Sequence, residues 1–317
     1  MRKRVSNPAE FGRVAVLMGG WSTEREVSLW SGQRVLQALR ARGIDAHGID
    51  ADRRTILLLG EAGFDRVFNL LHGTAGEDGT VQAVLDLHRL PYPGSGVLGS
   101  ALAMDKLRSK RIWRAEGLPT PDYAPVAATA ELRAAAERLG YPLFVKPAAD
   151  GSSVGVVKVK RPQQCETAFA QARGEGRSVM AEAAVDGGGE FTCAILDGEA
   201  LPLIRIEPDA EFYDYTAKYL SEQTRYLCPS GLDPAHEVRL RQLSLRAFEL
   251  LGGRDWGRVD FMLDAHGEPW LLEVNTLPGM TAHSLVPMAA LAAGIDFESL
   301  CWAILETSLS RTTGGGR

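Results

Sequence analysis

Four polar side chains near the C-terminal end of the chain come in two pairs with strand spacing. Arg258 and Asp260 lie two residues apart in one apolar run, and the next apolar run carries a second such pair, Glu273 and Asn275. Side chains two apart on a strand share a face. If the runs form a hairpin around His266-Gly267, Asp260 lies opposite Glu273. Arg258 then lies opposite Asn275, and all four side chains gather on one face.

The oxygen atoms of this cluster are of the kind that Mg²⁺ prefers as ligands. Two carboxylates directly opposite each other repel, and a divalent cation between them removes the repulsion. Carboxylate and amide oxygens suit Mg²⁺, whose shell the phosphates of a nucleotide commonly complete. The alternative is a solvated hairpin face, where the carboxylates only point at water. The apolar flanking residues Val259 and Phe261 indicate buried strands and favour a metal held by Asp260, Glu273 and Asn275.

A glycine- and serine-rich loop at residues 150–155 is a candidate phosphate site. Its glycines permit close backbone approach, and Ser152, Ser153 and the nearby Lys146 supply donors for a triphosphate. An ordinary hairpin turn is the alternative. The loop is not a P-loop, because it lacks the Gly-Lys-Ser/Thr ending and has a predicted strand on each side.

Further charged residues stand in or beside the predicted elements, and none is decisive alone. Lys106 lies in a cation-rich helix, for which a solvated helix face is the alternative interpretation. Glu182 ends a strand, and Glu190 opens the next strand after a glycine run. Together they are candidates to bind an adenine amine and ribose hydroxyls, although carboxylates at a protein surface are equally common.

The elements that position these residues alternate between strand and helix in the first part of the chain. Apolar runs predict strands at residues 13–18, 44–50 and 66–71. Helical spacing predicts helices at residues 28–42 and from a capping Thr80. This alternation predicts a parallel, doubly wound sheet. Ligands bind such sheets at the carboxyl ends of strands, where the loops at residues 19–24 and 72–79 lie.

After a glycine-rich boundary near residue 94, helices and strands follow in mixed order. Predicted helices lie at residues 105–116, 131–140, 163–173 and 235–251. Predicted strands lie at residues 143–146, 154–160, 178–182, 190–196, 201–206, 256–263 and 270–275. We predict three domains, over residues 1–94, 95–189 and 190–317, with a frayed tail at residues 312–317.

Composition and charge exclude several classes of protein. The 317 residues are 45% hydrophobic and 24% charged, as in globular proteins with a sizeable core. The net charge of −5 lacks the basic excess of nucleic-acid binders, so no nucleic-acid partner is expected. No window approaches the ~18–20 apolar residues of a membrane span, so no membrane partner is expected. Four widely spaced cysteines predict reduced thiols and a cytoplasmic protein.

Taken together, these features resemble the D-alanine–D-alanine ligases of the ATP-grasp superfamily. The long motifs that carry the match, in the family's order, lie at residues 19–28, 72–82, 213–219, 272–281 and 283–287. The resemblance implies an ATP-grasp fold, α/β overall with an α+β ATP-binding part, preceded by a doubly wound parallel-sheet domain. It also implies a homodimer that joins two D-alanines through D-alanyl phosphate for peptidoglycan synthesis. ATP and two Mg²⁺ are the implied cofactors, with Mn²⁺ as a substitute.

The functional residues of the family map onto this chain motif by motif. Its catalytic set maps to Glu24, Ser152, Tyr219, Arg258 and the backbone N–H of Gly279. Its D-alanine pockets map to His72, Ser284 and Leu285, and its metal ligands to Asp260, Glu273 and Asn275. Its ATP contacts map to Lys106, Lys146, Ser153, Glu182, Glu190 and Lys218. The resemblance implies that Glu24, Tyr219 and Ser152 lock a lid loop, while Arg258 and Gly279 stabilise the tetrahedral centre.

Three other functions are weighed against this one. Ligases that form a D-alanyl–D-lactate ester typically carry Phe at the position of Tyr219, so the amide product is favoured. The motifs around Glu24 and His72 disfavour a different ATP-grasp enzyme, such as a carboxylase or a peptide-type synthetase. A nucleotide-binding regulator without activity has no need of the oxyanion donor Arg258. The chain departs from the family by one extra residue within 183–189 and by Trp21 in the first glycine loop.

Overall fold

The structure, a computed structural model, describes residues 5–151, 155–174, 176–208 and 224–310. Three β-sheets flanked by helices form in these ranges, one parallel and two antiparallel. This confirms the predicted α/β class with an α+β second part. Among the described helices, no single one is long and apolar enough to span a membrane, although one bent pair, Leu285–Ala292 with Phe297–Ser310, meets the length and composition criteria together.

The first sheet is parallel and is covered by helices on both faces. Its strands are β1 (Val14–Gly19), β2 (Ala46–Ala51) and β3 (Arg66–Asn69), in the order β2-β1-β3. One face packs against α1 (Arg25–Ala41), and the other against α2 (Arg53–Leu58) and α3 (Thr80–Leu87). Every residue of the central β1 is buried, which explains its continuous apolar sequence. The predicted doubly wound sheet is confirmed.

The second sheet is antiparallel, in the order β4-β7-β5-β6. Its strands are β4 (Tyr123–Val126), β5 (Leu143–Pro147), β6 (Val157–Val159) and β7 (Val179–Ala183). One face is covered by α6 (Thr129–Leu139) and α7 (Cys165–Arg173) around a core that contains Leu143 and Val145. Because side chains alternate along a strand, the intervening Phe144 and Lys146 face the other way, toward the third sheet.

The third sheet is antiparallel and packs against helices on both faces. Its strands are β8 (Gly187–Leu196), β9 (Glu199–Ala200), β10 (Ile204–Glu207), β11 (Arg225–Leu227), β12 (Trp256–Asp264) and β13 (Pro269–Asn275). The order is β11-β10-β8-β12-β13, with β9 paired to β8. On one face lie α4 (Val97–Met104), α5 (Lys106–Ala115) and α8 (Pro234–Leu250). On the other face, α9 (Leu285–Ala292) and α10 (Phe297–Thr307) join the sheet to α1.

The β12–β13 hairpin has the predicted register at its functional end. Asp260 pairs with Glu273, and Arg258 pairs with Asn275. The register shifts beyond Asp260, where Phe261 pairs with Leu271, so Leu272 is the extra residue of a β-bulge. A bulge re-aims the side chains beside it, and Leu272 and Glu273 both line the cavity described below.

One predicted helix cap is wrong, and one helix was not predicted. The predicted cap at Thr80 is wrong, because Gly79 is the N-cap residue, in a left-handed conformation with φ of 95°. A Cβ on Gly79 would lie 2.7 Å from the carbonyl oxygen of Val97. Both this close contact and the left-handed backbone require glycine at the position. The helix α4 is not predicted, because Ser100 is the only polar side chain from Val97 to Met104 and no polar face marks a helical period. The domain boundaries at residues 94 and 189 stay predictions.

Candidate nucleotide and substrate site

A cavity of about 390 Å³ lies between the second and third sheets. Phe144 contributes apolar surface from the second sheet, and Met262 and Leu272 contribute it from the third. Charged side chains complete the wall, among them Lys106, Lys146, Lys158, Glu182, Glu190 and Glu273. An apolar slot with a group of cations suits a ligand that combines a flat ring with phosphates.

The carboxylate of Glu182, on β7, is buried between two lysines. Its Oε2 accepts a hydrogen bond from Lys146 Nζ at 2.6 Å, and its Oε1 pairs with Lys110 Nζ. Burial alone would raise the pKa of Glu182, but the charges of Lys110 and Lys146 hold that pKa below its ordinary value. Burial lowers the pKa of Lys110 to about 8, against the opposing effect of Glu182. Both oxygens of the predicted adenine-binding carboxylate are therefore engaged by lysines.

Lys106 connects the cavity to the glycine loop. It is the first residue of α5, and its Nζ donates to the Asp150 carbonyl oxygen at 2.6 Å and lies 3.1 Å from a carboxylate oxygen of Glu273. Burial alone would lower the pKa of Lys106, but the nearby carboxylates, led by Glu273, raise that pKa above its ordinary value. Lys106 therefore carries its charge at neutral pH, as a phosphate ligand must.

Arg258 and Asp260 form a bidentate pair on β12. Arg258 Nε and Nη2 donate to the two carboxylate oxygens of Asp260, each at 2.8 Å. Thr192 Oγ1, on the neighbouring β8, donates to Asp260 Oδ1 at 2.6 Å. Both members of the pair are buried, so each depends on the other for charge compensation.

The chemistry of Asp260, Glu273 and Asn275 fits a magnesium site that a nucleotide completes. Within the described ranges, no group of three His, Cys, Asp or Glu side chains gathers as in an all-protein metal site. Mg²⁺ usually takes only one or two carboxylates, which Asp260 and Glu273 supply. Substrate phosphates then complete its coordination shell. The predicted repulsion between Asp260 and Glu273 is also offset by protein cations, since Arg258 pairs with the first and Lys106 with the second.

Glu24 and His72 approach each other from the ends of β1 and β3. Glu24 is the buried N-cap residue of α1, and a Cβ on Gly73 would lie 2.9 Å from its Oε2. His72 is also buried, with Nδ1 3.2 Å from Glu77 Oε1 and Nε2 3.3 Å from Ser31 Oγ. A buried carboxylate beside a fixed imidazole is suited to hold the ammonium of an amino acid.

Gly279 and Ser284 lie together in the loop that follows β13. A Cβ on Gly279 would lie 3.0 Å from Ser284 Oγ, so only glycine leaves the space between them open. Leu285 begins α9, and its side chain is buried in the core that joins α9, α10 and α1. Any contribution of Leu285 to a ligand is therefore restricted to its backbone N–H.

Helix α1 holds this loop from the side of the first sheet. Ser31 Oγ accepts a hydrogen bond from Met280 N at 3.0 Å. Arg34 Nη1 donates to the carbonyl oxygens of Met280, at 3.2 Å, and of Thr281, at 2.5 Å. The guanidinium of Arg34 also lies 3.7 Å from the ring centre of Phe297 on α10, which fixes its direction.

The described site residues form three groups. They are the cavity wall with Lys106, Lys146, Glu182, Glu190 and Glu273, the β12–β13 hairpin with Arg258, Asp260 and Asn275, and the loops after β1, β3 and β13 with Glu24, His72, Gly279, Ser284 and Leu285. Ser152, Ser153, Lys218 and Tyr219, all predicted site residues, lie outside the described ranges. Lys110 escapes the sequence-based prediction because the cations of α5 suggest a solvated face. Helical spacing gives a signal for it, since Lys106, Lys110 and Trp113 lie on one side of the helix and are all buried.

The chain is similar to known proteins over most of its length. The family model for the C-terminus of D-ala D-ala ligase matches residues 112–306, and the model for its N-terminus matches residues 59–95. The chain is 53% identical over 300 residues to the D-alanine--D-alanine ligase of Laribacter hongkongensis, covering 95% of this chain and 97% of that one.

Solved structures of similar proteins have the same fold. A D-alanine--D-alanine ligase from Bacillus anthracis, complexed with ATP, superimposes with a TM-score of 0.80 and 38% identity, over 96% of this chain and 99% of that one. The VanG D-Ala:D-Ser ligase from Enterococcus faecalis gives a TM-score of 0.80 at 29% identity, over 93% of this chain and 99% of that one. With the buried lysine–carboxylate cavity and two matching family models, the chain belongs to the D-alanine–D-alanine ligase family.

Proposed function

We propose that this chain joins two D-alanines into D-alanyl-D-alanine at the expense of ATP, in the cytoplasm, for peptidoglycan precursor synthesis. The observation that carries the proposal is the closeness of the nucleotide cavity to the Glu24 site. Lys106, on the cavity wall, donates to Asp150, and a Cβ on the next residue, Gly151, would lie 3.6 Å from Glu24 Oε2. A phosphoryl group bound near Lys106 is therefore close to a carboxylic acid bound near Glu24.

The chemistry follows from the charges of these residues. A carboxylate is a poor electrophile, so the first D-alanine takes the γ-phosphoryl group and becomes an acyl phosphate. Lys106 and Lys146 offset charge on the transferred oxygens. The neutral amine of the second D-alanine then attacks the acyl carbon. The bond from this carbon to the phosphate oxygen breaks and the nitrogen releases one proton, which leaves the amide and inorganic phosphate. Arg258 and the backbone N–H of Gly279 stabilise the negative oxygen of the tetrahedral intermediate.

The remaining residues bind and orient the substrates in this proposal. Glu24 neutralises the ammonium of the first D-alanine beside His72, and Ser284 with the Leu285 N–H binds the carboxylate of the second. Asp260, Glu273 and Asn275 would hold two Mg²⁺ ions, or Mn²⁺ ions in their place. When bound, the metal neutralises the phosphates. Glu182, Glu190, Lys218 and Ser153 bind the nucleotide, while Ser152 and Tyr219 link the lid loop to Glu24.

The test is product analysis with purified protein, Mg-ATP and candidate substrates. D-alanine alone should give ADP, phosphate and D-alanyl-D-alanine, while L-alanine should give none of them. D-serine and D-lactate are offered together with D-alanine, to compare the amide and ester products. A mixed D-alanyl-D-serine or D-alanyl–D-lactate product that exceeds D-alanyl-D-alanine would contradict the proposed acceptor. No ADP with any substrate would contradict the ligase.

Replacing Arg34 with Met should weaken acceptor binding without changing ATP binding. Arg34 holds the loop of Gly279 and Ser284 through two carbonyl oxygens, and it touches neither the cavity nor Glu24 in the described contacts. The lost charge-assisted hydrogen bonds are each worth about 1.5–3 kcal/mol, so KM for the second D-alanine should rise at least about tenfold. Arg40→Met, at an exposed position of the same helix, is the control. An equal rise in KM for ATP would contradict this role.

We propose that the chain forms a homodimer through an apolar surface on α2, α3 and α4. This surface comprises exposed side chains of three adjacent helices, Leu57, Leu58, Leu87, Val97 and Leu98. His88 Nε2 hydrogen-bonds the Leu57 carbonyl oxygen at 3.0 Å, which joins α2 to the end of α3. Contiguous exposed apolar side chains of this kind mark protein interfaces.

A charge on this surface should dissociate the dimer. Leu87 and Leu98 are 83% and 69% exposed, so replacing both with Glu should preserve the fold. In a dimer formed through this surface, each protomer would then bury two unpaired carboxylates. Sedimentation equilibrium should then give a monomer for the double variant and a dimer for the wild type. Leu291→Glu, at a position 69% exposed on α9, should remain a dimer. A double variant that stays dimeric would assign the interface to another surface.

A further inference from the structure

Lys110 is a buried cation that joins three elements of the fold. Its side chain has no exposed surface, and its Nζ pairs with Glu182 Oε1 on β7. The same Nζ donates to Thr120 Oγ1 at 2.7 Å, ahead of β4, and to the carbonyl oxygen of Leu271 on β13 at 3.2 Å. One ammonium group therefore contacts a strand from each of the two sheets that enclose the cavity.

The pairing with Glu182 determines how much positive charge the cavity presents. Glu182 gives one oxygen to Lys110 and the other to Lys146, so two cations share one anion. The trio therefore carries a net charge of +1 when all three groups are ionised. Without Lys110, Lys146 and Glu182 would form a neutral one-to-one pair, and the Lys146 ammonium would be drawn toward both carboxylate oxygens. This pair would then offer a phosphate no net positive charge at the cavity wall.

The contact with Leu271 acts on the opposite wall. The Leu271 carbonyl oxygen accepts from both Lys110 and Thr120, the latter at 2.8 Å. Leu271 immediately precedes the bulge at Leu272, which turns Leu272 and Glu273 toward the cavity. Two donors on this carbonyl fix the backbone where the bulge begins, and hence the direction of Glu273.

We propose that Lys110 is a positioning residue of the nucleotide cavity, which presents Lys146 to the phosphates from one wall and fixes Glu273 on the other. Lys110 itself lies behind Glu182 and does not line the cavity, so in this proposal it does not contact the nucleotide. This inference rests on the proposed function, because it assumes that the cavity binds the nucleotide. It assigns a role in binding to a residue that otherwise only compensates a buried charge.

The test is calorimetric titration of Lys110→Met with Mg-ADP, which binds without turnover. Loss of one charge-assisted contact to Glu182 should weaken Mg-ADP binding by about tenfold, and KM for D-alanine should stay near that of the wild type. Arg111→Met, which removes an exposed cation one residue along α5, should bind as the wild type does. A residue that only stabilises the fold would lower the unfolding temperature and leave the Kd unchanged.

A second variant keeps the test decisive if Lys110→Met fails to fold. Thr120→Val keeps the Lys110–Glu182 pair but removes one hydrogen bond to Lys110 and one to Leu271. It should weaken Mg-ADP binding by about threefold. Folded variants with wild-type affinity would overturn the role of Lys110. A wild-type chain that binds no Mg-ADP would instead refute the proposed nucleotide function itself.

Discussion

Replacing Arg258 with Met is expected to lower kcat by about 10²–10³-fold, the typical loss when one oxyanion donor is removed. Arg258 is buried and is held in direction by its two hydrogen bonds to Asp260. Its guanidinium is thus fixed before substrate arrives, which is the condition for stabilising charge that appears only in the transition state. Steady-state kinetics with saturating Mg-ATP and D-alanine measure the effect.

The same substitution removes the cation that compensates Asp260. Breaking one side of a buried ion pair costs about 3–5 kcal/mol of folding free energy, so a lower unfolding temperature is also expected. Arg258→Lys separates the two effects. A lysine keeps a positive charge beside Asp260 but lacks the planar fork, so stability should recover more than kcat does. Full activity in Arg258→Met would exclude Arg258 from the oxyanion site.

Replacing Glu273 with Gln is expected to reduce turnover by at least about 10²-fold, because it weakens binding of the metal, whose stabilisation of transition-state charge is worth several kcal/mol. The loss should be partly restored by raising the Mg²⁺ concentration, since the substitution weakens the site and leaves Asp260 in place. Gln also removes the main charge that offsets the effect of burial on the Lys106 pKa, so that pKa should fall. Initial rates over a Mg²⁺ series measure the first effect.

A matched control for this variant lies on the same hairpin. Glu268→Gln removes a carboxylate from the turn, where Glu268 pairs with Arg239 and both side chains are more than half exposed. Surface pairs of this kind contribute about 0–1 kcal/mol, so Glu268→Gln should have wild-type rates at every Mg²⁺ concentration. If Glu273→Gln behaves in the same way, Glu273 does not bind the metal.

The hairpin shows how far the sequence specifies the candidate site. The pairing of Asp260 with Glu273 follows from the alternation of polar and apolar residues, and it is confirmed. The bulge at Leu272 does not follow from that pattern, because an extra residue on a strand leaves local composition unchanged. Yet the bulge decides that Leu272 and Glu273 face the cavity together. The pairing at the functional end was predictable here, and the bulge that shifts the register toward the turn was not.

Lys110 illustrates a second limit of prediction from one sequence. The spacing of Lys106, Lys110 and Trp113 defines one face of α5, but spacing alone does not say what that face meets. The partners of Lys110 are Glu182 and Leu271, which are distant in the sequence and contact α5 only when the two sheets have formed. A charged helix face with a distant partner is indistinguishable, in sequence, from one that water solvates.

In the proposed reaction, the D-alanine carboxylate is activated as an acyl phosphate before the amide bond forms. The most direct measurement uses D-alanine with both carboxylate oxygens labelled as ¹⁸O, together with unlabelled Mg-ATP, and mass analysis of the released phosphate. Phosphoryl transfer to the carboxylate predicts one ¹⁸O in each phosphate per dipeptide formed, because the bridging oxygen leaves with phosphorus. Phosphate that carries no ¹⁸O while dipeptide accumulates would contradict the acyl phosphate and the roles assigned to the residues around it.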